Sequence, residues 1–367
     1  VSTLRRGREE AATLLGAVAE LFVTGARVDW ASVFEGSGAR HVDLPTYAFQ
    51  HQRFWLDAAA PAGDLSAAGL RTADHPLLGA TVMLADGDGM LLTGRLSTAA
   101  PGWLADHTVF GAPVVPGTAL LELVLAAGRR VGTPVVAELI LQAPLPLPDH
   151  GGVRLQIAVG PIADSGHREV TVHAQPEDGD EAAWTLHATG VLAPAESSAA
   201  LIVNDLVVWP PAGAEPLPVE GTYPALADAG LGYGPAFQGL RRAWWRDGEV
   251  FAEVATPAAT DGYDMHPALL DAALHAIGLG GLLPEAGMAR LPFAFSTVRM
   301  FTSPGGAMRV RLALGDAPDT ISLVAADDAG LPAVAIDGLT LRPAARDRFS
   351  AGVDAAARLL YGLDWVG

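Results

Sequence analysis

Apolar residues recur along the chain with two different spacings. Alternating apolar and polar positions, broken by Gly, Pro and Asp, predict antiparallel strands. Such runs cover residues 75–97, 153–160, 168–175 and 182–194, and later 248–257, 291–301, 308–315, 319–326 and 332–343. A spacing of three to four residues predicts one buried helix within 117–128 and another over 267–280. A helix followed by several strands, twice over, predicts two similar α+β units, each a sheet wrapped around a helix.

The remaining segments suggest how the chain is divided. An amphipathic helix with acidic residues in its first turn is predicted over 7–24. An aromatic-rich stretch with Tyr47, His51 and Arg53 is expected to dock on another surface in an extended form. Stretches rich in Ala, Gly, Ser and Pro mark the boundaries. The predicted regions are a linker 1–70, an N-terminal unit 71–195, a connection 196–218, a C-terminal unit 219–345 and a tail 346–367.

Composition excludes several functions. The chain has 367 residues, of which 50% are hydrophobic and 17% charged, as in a folded protein with more than one packed unit. The 23 Lys and Arg against 41 Asp and Glu give a net charge of −18, which argues against binding nucleic acid. The lack of cysteine rules out disulfides and thiolate chemistry and agrees with a cytoplasmic location. We also expect no membrane span and no signal peptide.

The stretch 103–128 places a titratable side chain beside a helix start. His107 lies in an apolar run, Gly111 follows, and Pro116 and Gly117 precede the helical pattern. The amino end of a helix offers unpaired N–H groups and partial positive charge, which suit a developing oxyanion. His107 is therefore a candidate general base beside a carbonyl-binding helix end. The alternative is a core histidine with its hydrogen bonds satisfied, and this segment alone favours that alternative.

The helix predicted over 267–280 carries a second pair of candidates. Asp271 and His275 are four residues apart and so share one face. Apolar neighbours are expected to raise the pKa of Asp271, so that it serves as an acid while His275 orients it. An exposed polar pair is the alternative. A metal site that also includes His266 ranks lower, because the spacing matches no zinc motif and His266 lies at the helix start.

Residues 230–240, with the sequence GLGYGPAFQGL, lie between these two segments. The glycines permit a tight backbone path. Tyr233, Phe237 and Gln238 are expected to line a narrow passage, or else the segment is an aromatic-anchored turn. The sequence shows no serine nucleophile elbow, phosphate loop or dinucleotide fingerprint. One imidazole and one carboxyl on matching helices suit the elimination of water next to a carbonyl group.

These motifs together resemble the dehydratase domain of modular type I polyketide synthases. His107, Gly111 and Pro116 match its HxxxGxxxxP motif, and Asp271 with His275 matches its Dxxx(Q/H) motif. Residues 233–240 match YGPxFQGL, and HPLLG at 75–79 and LPFAFS at 291–296 match further signatures. The aromatic stretch near residue 50 resembles the linker after an acyltransferase domain, and LLYGLDWVG at the end resembles the entry into a reductase region.

The resemblance implies a double hot-dog fold, a homodimer, and neighbouring acyltransferase and ketoreductase domains in one synthase. The substrate would be a β-hydroxyacyl thioester on the phosphopantetheine of an acyl carrier protein, with no metal or redox cofactor. His107 would remove the α-proton, and Asp271 would protonate the leaving hydroxyl. The amide end after Pro116 would hold the thioester carbonyl. The remaining substrate-binding residues implied are Gly111, Pro116, Gly117, Tyr233, Pro235, Phe237, Gln238 and His275.

Three other functions are compatible with such a fold. A double-bond isomerase or pyran-forming cyclase is the nearest, but the presence of Pro116 and Asp271 favours ordinary dehydration. A scaffold domain without activity would not need both His107 and Asp271. A hot-dog thioesterase is the most distant, because this pair does not supply its water-activating arrangement.

Overall fold

The chain forms two compact units, Val1–Pro61 and Ala62–Gly367. The computed structural model describes residues 9–40, 67–85, 87–177, 183–195, 204–282, 289–317 and 319–344, with the single residues Gly7 and Leu65. The predicted docking segment with Tyr47, His51 and Arg53 and the predicted tail 346–367 lie outside the described residues.

The described part of the first unit contains two helices, α1 (Glu10–Val23) and α2 (Trp30–Val33). Helix α1 confirms the amphipathic helix predicted near the amino end, and Glu10 lies in its first turn. The side chain of Asp29 caps α2 by accepting a hydrogen bond from the Ala31 amide at 3.1 Å.

The second unit is built from antiparallel strands, short 3₁₀ turns and two long buried helices. Its helices are α3 (Gly117–Arg130), α4 (Asn204–Val207), α5 (Thr222–Asp228) and α6 (Pro267–His275), and 3₁₀ turns cover Gly102–Asp106 and Ala276–Gly278. Strands before α4 are β1 (Arg71–His75), β2 (Leu78–Met83), β3 (Met90–Leu96), β4 (His107–Val109), β5 (Ala112–Val115), β6 (Val135–Leu141), β7 (Leu145–Pro146), β8 (Val153–Val159), β9 (Arg168–Pro176) and β10 (Thr185–Ala193). Later strands are β11 (Glu215–Leu217), β12 (Leu231–Tyr233), β13 (Leu240–Arg246), β14 (Glu249–Ala255), β15 (Arg290–Met300), β16 (Ala307–Leu314), β17 (Thr320–Ala326) and β18 (Pro332–Pro343).

One large sheet joins the two halves of this unit. Its 14 strands run in the order β1-β2-β3-β8-β9-β10-β6-β15-β18-β17-β16-β14-β13-β11. The central neighbours β6 and β15 are the strands that follow α3 and α6, so each half repeats one helix-then-strand plan. A smaller sheet has the order β12-β4-β5-β7. The fold is α+β, a double hot-dog. The strands predicted from the alternating pattern and the two buried helices predicted from the spacing of three to four residues are confirmed, although α6 ends at His275 and a 3₁₀ turn follows.

The sequence pattern missed β6, the strand at the centre of the large sheet. It begins five residues after α3 ends, and its sequence VVAELIL is apolar at six of seven positions, so apolar and polar residues do not alternate. Gly132 and Pro134 separate this run from α3, but the run itself shows no period of two that would mark it as a strand. Pairing with β15, which is distant in the chain, stabilises β6 as a strand.

Both long helices are buried on nearly every side. Residues Thr118 to Gly128 of α3 are all buried, and so are eight of the nine residues of α6. A helix that is apolar all round is typical of the interior of a sheet that wraps it. Polar groups on such a helix must find partners inside the protein. Glu122 on α3 and Asp271 on α6 are buried carboxyl groups, so each must have polar partners inside the protein.

Two short elements lie within the predicted connection 196–218, namely α4 and β11, and residues 196–203 are outside the described part. Strand β11 pairs with β13 at the edge of the large sheet. The predicted region boundaries remain predictions. Among the described residues, no helix is both long and apolar enough to span a membrane.

The junction of β6 and β15 predicts a strong effect of one core truncation. Leu139 is fully buried in β6 opposite Phe295 of β15. Leu139→Ala is expected to lower the free energy of unfolding by about 2–5 kcal/mol, because it removes apolar contacts and leaves a cavity. The matched control Leu314→Ala, at a side chain 63% exposed, should change it by less than about 0.5 kcal/mol. Urea unfolding measures both, and equal effects would contradict the central role of this junction.

Candidate active site

A short hairpin positions His107. Strands β4 and β5 are joined by Phe110 and Gly111, which have φ of 51° and 85°. Two successive positive φ values are the mark of a type I′ turn, which explains the glycine. Thr108 pairs with Pro113, so His107 lies beside Val114 on the neighbouring strand. The spacing from His107 to Gly111 is therefore set by the hairpin.

The hairpin also sets the tautomer of His107. Its Nδ1 lies 2.7 Å from the carbonyl oxygen of Val114. A carbonyl oxygen only accepts hydrogen bonds, so Nδ1 carries the proton and Nε2 keeps its lone pair in the neutral ring. Burial lowers the pKa of His107 below its ordinary value of 6.5, although the nearby charge of Asp271 opposes the shift. The ring is therefore neutral at pH 7, as a general base must be.

The end of β5 leads directly into the helix start. Pro116 is the N-cap of α3 and its carbonyl accepts from the amides of Ala119 at 2.9 Å and Leu120 at 3.4 Å. The amides of Gly117 and Thr118 have no acceptor within the helix, as is usual in a first turn. They add to the positive end of the helix dipole. The helix start therefore offers donors to an anionic oxygen.

Limited space rather than backbone conformation favours glycine at position 117. A Cβ at this position would lie 2.7 Å from Cδ1 of Leu141 and 3.3 Å from Cβ of Pro292. Gly117 lines the cavity described below. A larger residue would therefore crowd the wall of the cavity at the helix start.

Helix α6 presents Asp271 from the other half of the unit. One carboxylate oxygen lies 3.1 Å from Nε2 of His275, and the other accepts a hydrogen bond from the hydroxyl of Thr118 at 3.5 Å. Asp271 and His275 are 5% and 6% exposed, so the alternative of an exposed polar pair is wrong. Thr118, one residue beyond Gly117, was not among the residues singled out from the sequence. A hydroxyl in an otherwise apolar first helical turn is the sequence signal that could have identified Thr118.

The pKa of Asp271 departs from the expectation. Burial raises the pKa of this carboxyl, as its apolar surroundings predicted. Its hydrogen bond to His275, the nearby imidazole charges and the hydroxyl of Thr118 outweigh burial, and the net pKa lies below 3.8. The prediction of a raised pKa is therefore wrong, because it counted the apolar neighbours and not the polar partners.

His266 has a structural role at the start of α6. It is the N-cap, and its Nδ1 accepts a hydrogen bond from the Ala268 amide at 3.2 Å. Burial lowers the pKa of His266 to about 4. Within the described ranges no three His, Asp or Glu side chains form a group that could hold a metal ion.

A three-residue ladder brings Tyr233 to His107. Strand β12 pairs with β4, and Tyr233 is the direct partner of His107. Their ring centroids are 5.5 Å apart, and the centroids of Tyr233 and His275 are 4.1 Å apart. Burial raises the pKa of the Tyr233 hydroxyl, and the charge of Asp271 raises it further, so the hydroxyl stays protonated. The tyrosine ring thus bridges the imidazoles of both halves.

Two glycines allow this close approach. A Cβ at Gly232 would overlap the hydroxyl of Thr108, and a Cβ at Gly234 would overlap the carboxylate of Asp106. The Gly234 amide donates to the carbonyl of Asp106 at 2.6 Å. The prediction of a tight backbone path through this segment is confirmed.

His107 and Asp271 line one cavity of about 640 Å³ between the two halves of the unit. Gly117, Tyr233 and His275 line it as well. Most of the remaining wall is apolar, with side chains from both halves. Those wall residues include Val109, Val114, Leu120, Leu141, Leu226, Leu274, Ile277 and Leu291.

The other residues implied by the resemblance lie behind this wall. Gly111 is in the hairpin turn and Pro116 is the helix cap. Phe237 is fully buried, with its ring centroid 5.2 Å from that of His107. Gln238 is exposed and donates from Nε2 to the Tyr233 carbonyl at 2.8 Å, and Pro235 is also exposed. These five residues support the site and do not line the cavity in this structure.

Comparison with known proteins agrees with this geometry. Residues 75–175 match the family described as "Polyketide synthase dehydratase domain", and residues 203–351 match "Polyketide synthase dehydratase N-terminal domain". The polyketide synthase GfsA of Streptomyces halstedii is 49% identical over the whole chain, which covers 5% of that synthase. The pikromycin synthase component PikAII of Streptomyces venezuelae is 46% identical over the whole chain, which covers 10% of that protein.

Two solved structures are similar over their full length. The dehydratase domain from the terminal module of the rifamycin polyketide synthase is 43% identical, with a TM-score of 0.69. The erythromycin dehydratase is 42% identical, with a TM-score of 0.70. Each match covers 76% of this chain and 100% of the solved one.

The fold and the cavity define a double hot-dog hydro-lyase. The chain belongs to the dehydratase domains of modular type I polyketide synthases. Its function is dehydration within such a synthase. The chain spans only 5% and 10% of the two synthases named above, so it corresponds to a small part of each.

The environment of His107 predicts its titration. We expect an NMR pKa below 6.5, because burial disfavours the charged ring. The unfolded chain takes up this proton at higher pH, so this group makes the free energy of unfolding fall as the pH drops below 6.5. Imidazole ¹⁵N shifts, assigned with His107→Phe, measure the pKa, and the same signal in urea is the reference. A midpoint at or above that of the unfolded chain would contradict the buried neutral ring.

Proposed function

We propose that this domain eliminates water from a 3-hydroxyacyl thioester carried on the phosphopantetheine of an acyl carrier protein. The observation that carries this proposal is the shared cavity. An imidazole with an unprotonated Nε2 and a carboxyl from the opposite half line one largely apolar cavity beside a helix start. The cavity walls suit an acyl chain, and the helix start suits the thioester carbonyl.

His107 acts as the general base. Its Nε2 takes the proton from the α-carbon, while Nδ1 continues to donate to the Val114 carbonyl. That hydrogen bond holds the ring orientation and stabilises the imidazolium that forms. The amides of Gly117 and Thr118 stabilise the negative charge that develops on the thioester oxygen.

Asp271 acts as the general acid together with His275. The pKa of Asp271 is low, so its proton must come from a neighbour at neutral pH. Nε2 of His275 lies 3.1 Å from the carboxylate, within hydrogen-bonding distance. In the reactive form the pair carries one proton more than a carboxylate with a neutral imidazole, and Asp271 passes that proton to the departing β-hydroxyl.

The reaction balances as a simple elimination. The α-carbon loses a proton to His107, the bond from the β-carbon to oxygen breaks, and the hydroxyl leaves as water with the proton from Asp271. The electron pair of the C–H bond becomes the α,β double bond. Return of one proton from His107 to the Asp271 and His275 pair restores the site. Every step uses side chains and amides of this chain.

The relatives support further proposals about partners. We infer that the domain acts within a synthase that also contains acyltransferase and ketoreductase domains, and that it forms a homodimer. The neighbouring domains are supported by coverage, because the chain covers 5% to 10% of these synthases and leaves room for many further domains. The homodimer rests on the family resemblance alone.

The proposal predicts that both groups are needed. His107→Phe and Asp271→Asn should each lower the rate of water loss by about 10²- to 10⁴-fold, because each removes one proton-transfer group. The assay incubates the protein with a 3-hydroxyacyl carrier-protein thioester and follows the mass of the acyl group.

Two exposed residues provide matched controls. His150→Phe and Asp261→Asn make the same chemical changes at exposed positions away from the cavity, so the rate should stay at the wild-type level. Full activity in either cavity variant would contradict the mechanism. A double bond that migrates without loss of water would instead indicate an isomerase.

A further inference from the structure

A second buried polar cluster lies outside the cavity. Glu122, in the middle of α3, is 1% exposed. Its carboxylate accepts hydrogen bonds from two successive backbone amides, Asp264 at 2.7 Å and Met265 at 3.1 Å. These two residues lie just before α6, the helix that carries Asp271. A carboxylate in the protein interior is tolerated only when several donors face it.

His75 supplies a third donor. Its Nδ1 accepts from the Leu77 amide at 3.2 Å, so the neutral ring carries its proton on Nε2. That Nε2 lies 3.3 Å from Oε1 of Glu122. His75 opens the HPLLG signature, to which no role was assigned from the sequence. Its contact with Glu122 gives that histidine a structural role.

Glu122 and the site share one face of α3. Thr118 and Glu122 are four residues apart, so their side chains lie one helical turn from each other. Thr118 contacts Asp271 within α6, whereas Glu122 holds the backbone just before α6 begins. The two helices therefore run in opposite directions and are held together by polar contacts at both points.

The same segment also contacts the turn that leads to His107. Trp103 donates from its indole nitrogen to the hydroxyl of Tyr263 at 3.2 Å. Trp103 lies in the 3₁₀ turn that ends at Asp106, immediately before His107. In addition, Arg129 of α3 forms an ion pair with the side chain of Asp264. The residues before α6 are thus fixed against both α3 and the segment that carries the base.

We propose that Glu122 is a positioning residue that sets the distance between Asp271 and His107 by holding the start of α6. The proposal rests on the proposed function, in which Asp271 is the acid. Glu122 does not line the cavity and touches no reacting atom. Its effect on the reaction passes through the placement of α6.

Glu122→Gln tests this role with little change in size. The amide group presents N–H donors toward backbone N–H groups, so at least one contact is lost. We expect kcat in the thioester assay to fall about tenfold to a hundredfold, with KM unchanged, because a small displacement of a catalytic group is costly. Added to Asp271→Asn, the same substitution should cause no further loss, because its effect acts through Asp271.

Two further variants keep the test decisive. His75→Phe retains a ring beside Tyr263 but removes one donor to Glu122, so it should lower kcat less and show the same dependence on Asp271. Thr133→Val is the control, because this residue just beyond α3 is 2% exposed and its hydroxyl has no hydrogen-bond partner in the described structure. It should leave kcat unchanged.

The outcomes separate the two proposals. Wild-type kcat in Glu122→Gln, or an equal further loss when it is added to Asp271→Asn, would overturn the positioning role while leaving the mechanism intact. Wild-type activity in Asp271→Asn alone would overturn the mechanism itself. If Glu122→Gln does not fold, His75→Phe decides by the same two comparisons.

Discussion

Three residues of β12 form a backbone ladder with three residues of β4, and this ladder joins the two halves at the site. Paired strands lie about 4.8 Å apart, so the distance between their side chains has little freedom. Tyr233 is consequently held beside His107. The ladder needs the small residues Gly232 and Gly234, because Thr108 and Asp106 occupy the space where their side chains would be. The cavity, the tyrosine and the base all depend on this pairing.

The two catalytic candidates reach opposite electrostatic states although both are buried. For His107, burial outweighs the charge of Asp271 and the hydrogen bond to the Val114 carbonyl, so its pKa is lowered and the ring stays neutral. Asp271 has His275 and Thr118 as partners, and these outweigh burial, so its pKa is lowered and the carboxylate is favoured. Burial alone therefore does not decide the charge of a group, since the donors and acceptors around it can reverse the result.

Much of the fold was predictable because its strands have one face on a core and one face toward solvent. In such strands apolar and polar residues alternate along the sequence, as in β8 and β9. Strands β4, β5 and β12 have three or four residues each, too few to show a period, and their partners lie elsewhere in the chain. Phe237 and Gln238 were expected at the cavity wall, but one packs behind His107 and the other faces outward. A motif identifies residues that a site requires without showing which of them touch the substrate.

The sequence by itself determined the pair of candidate groups, the two buried helices and the α+β plan. These follow from residue types and spacing, which act locally along the chain. Only the tertiary structure decided the tautomer of His107, the direction of the pKa shift of Asp271 and the contact between Glu122 and the start of α6. Each of these depends on a partner brought close by folding, such as Val114 across a hairpin or Thr118 from the opposite helix. The segment around His107 by itself favours a structural role, but His107 lines one cavity with Asp271 once both halves are assembled.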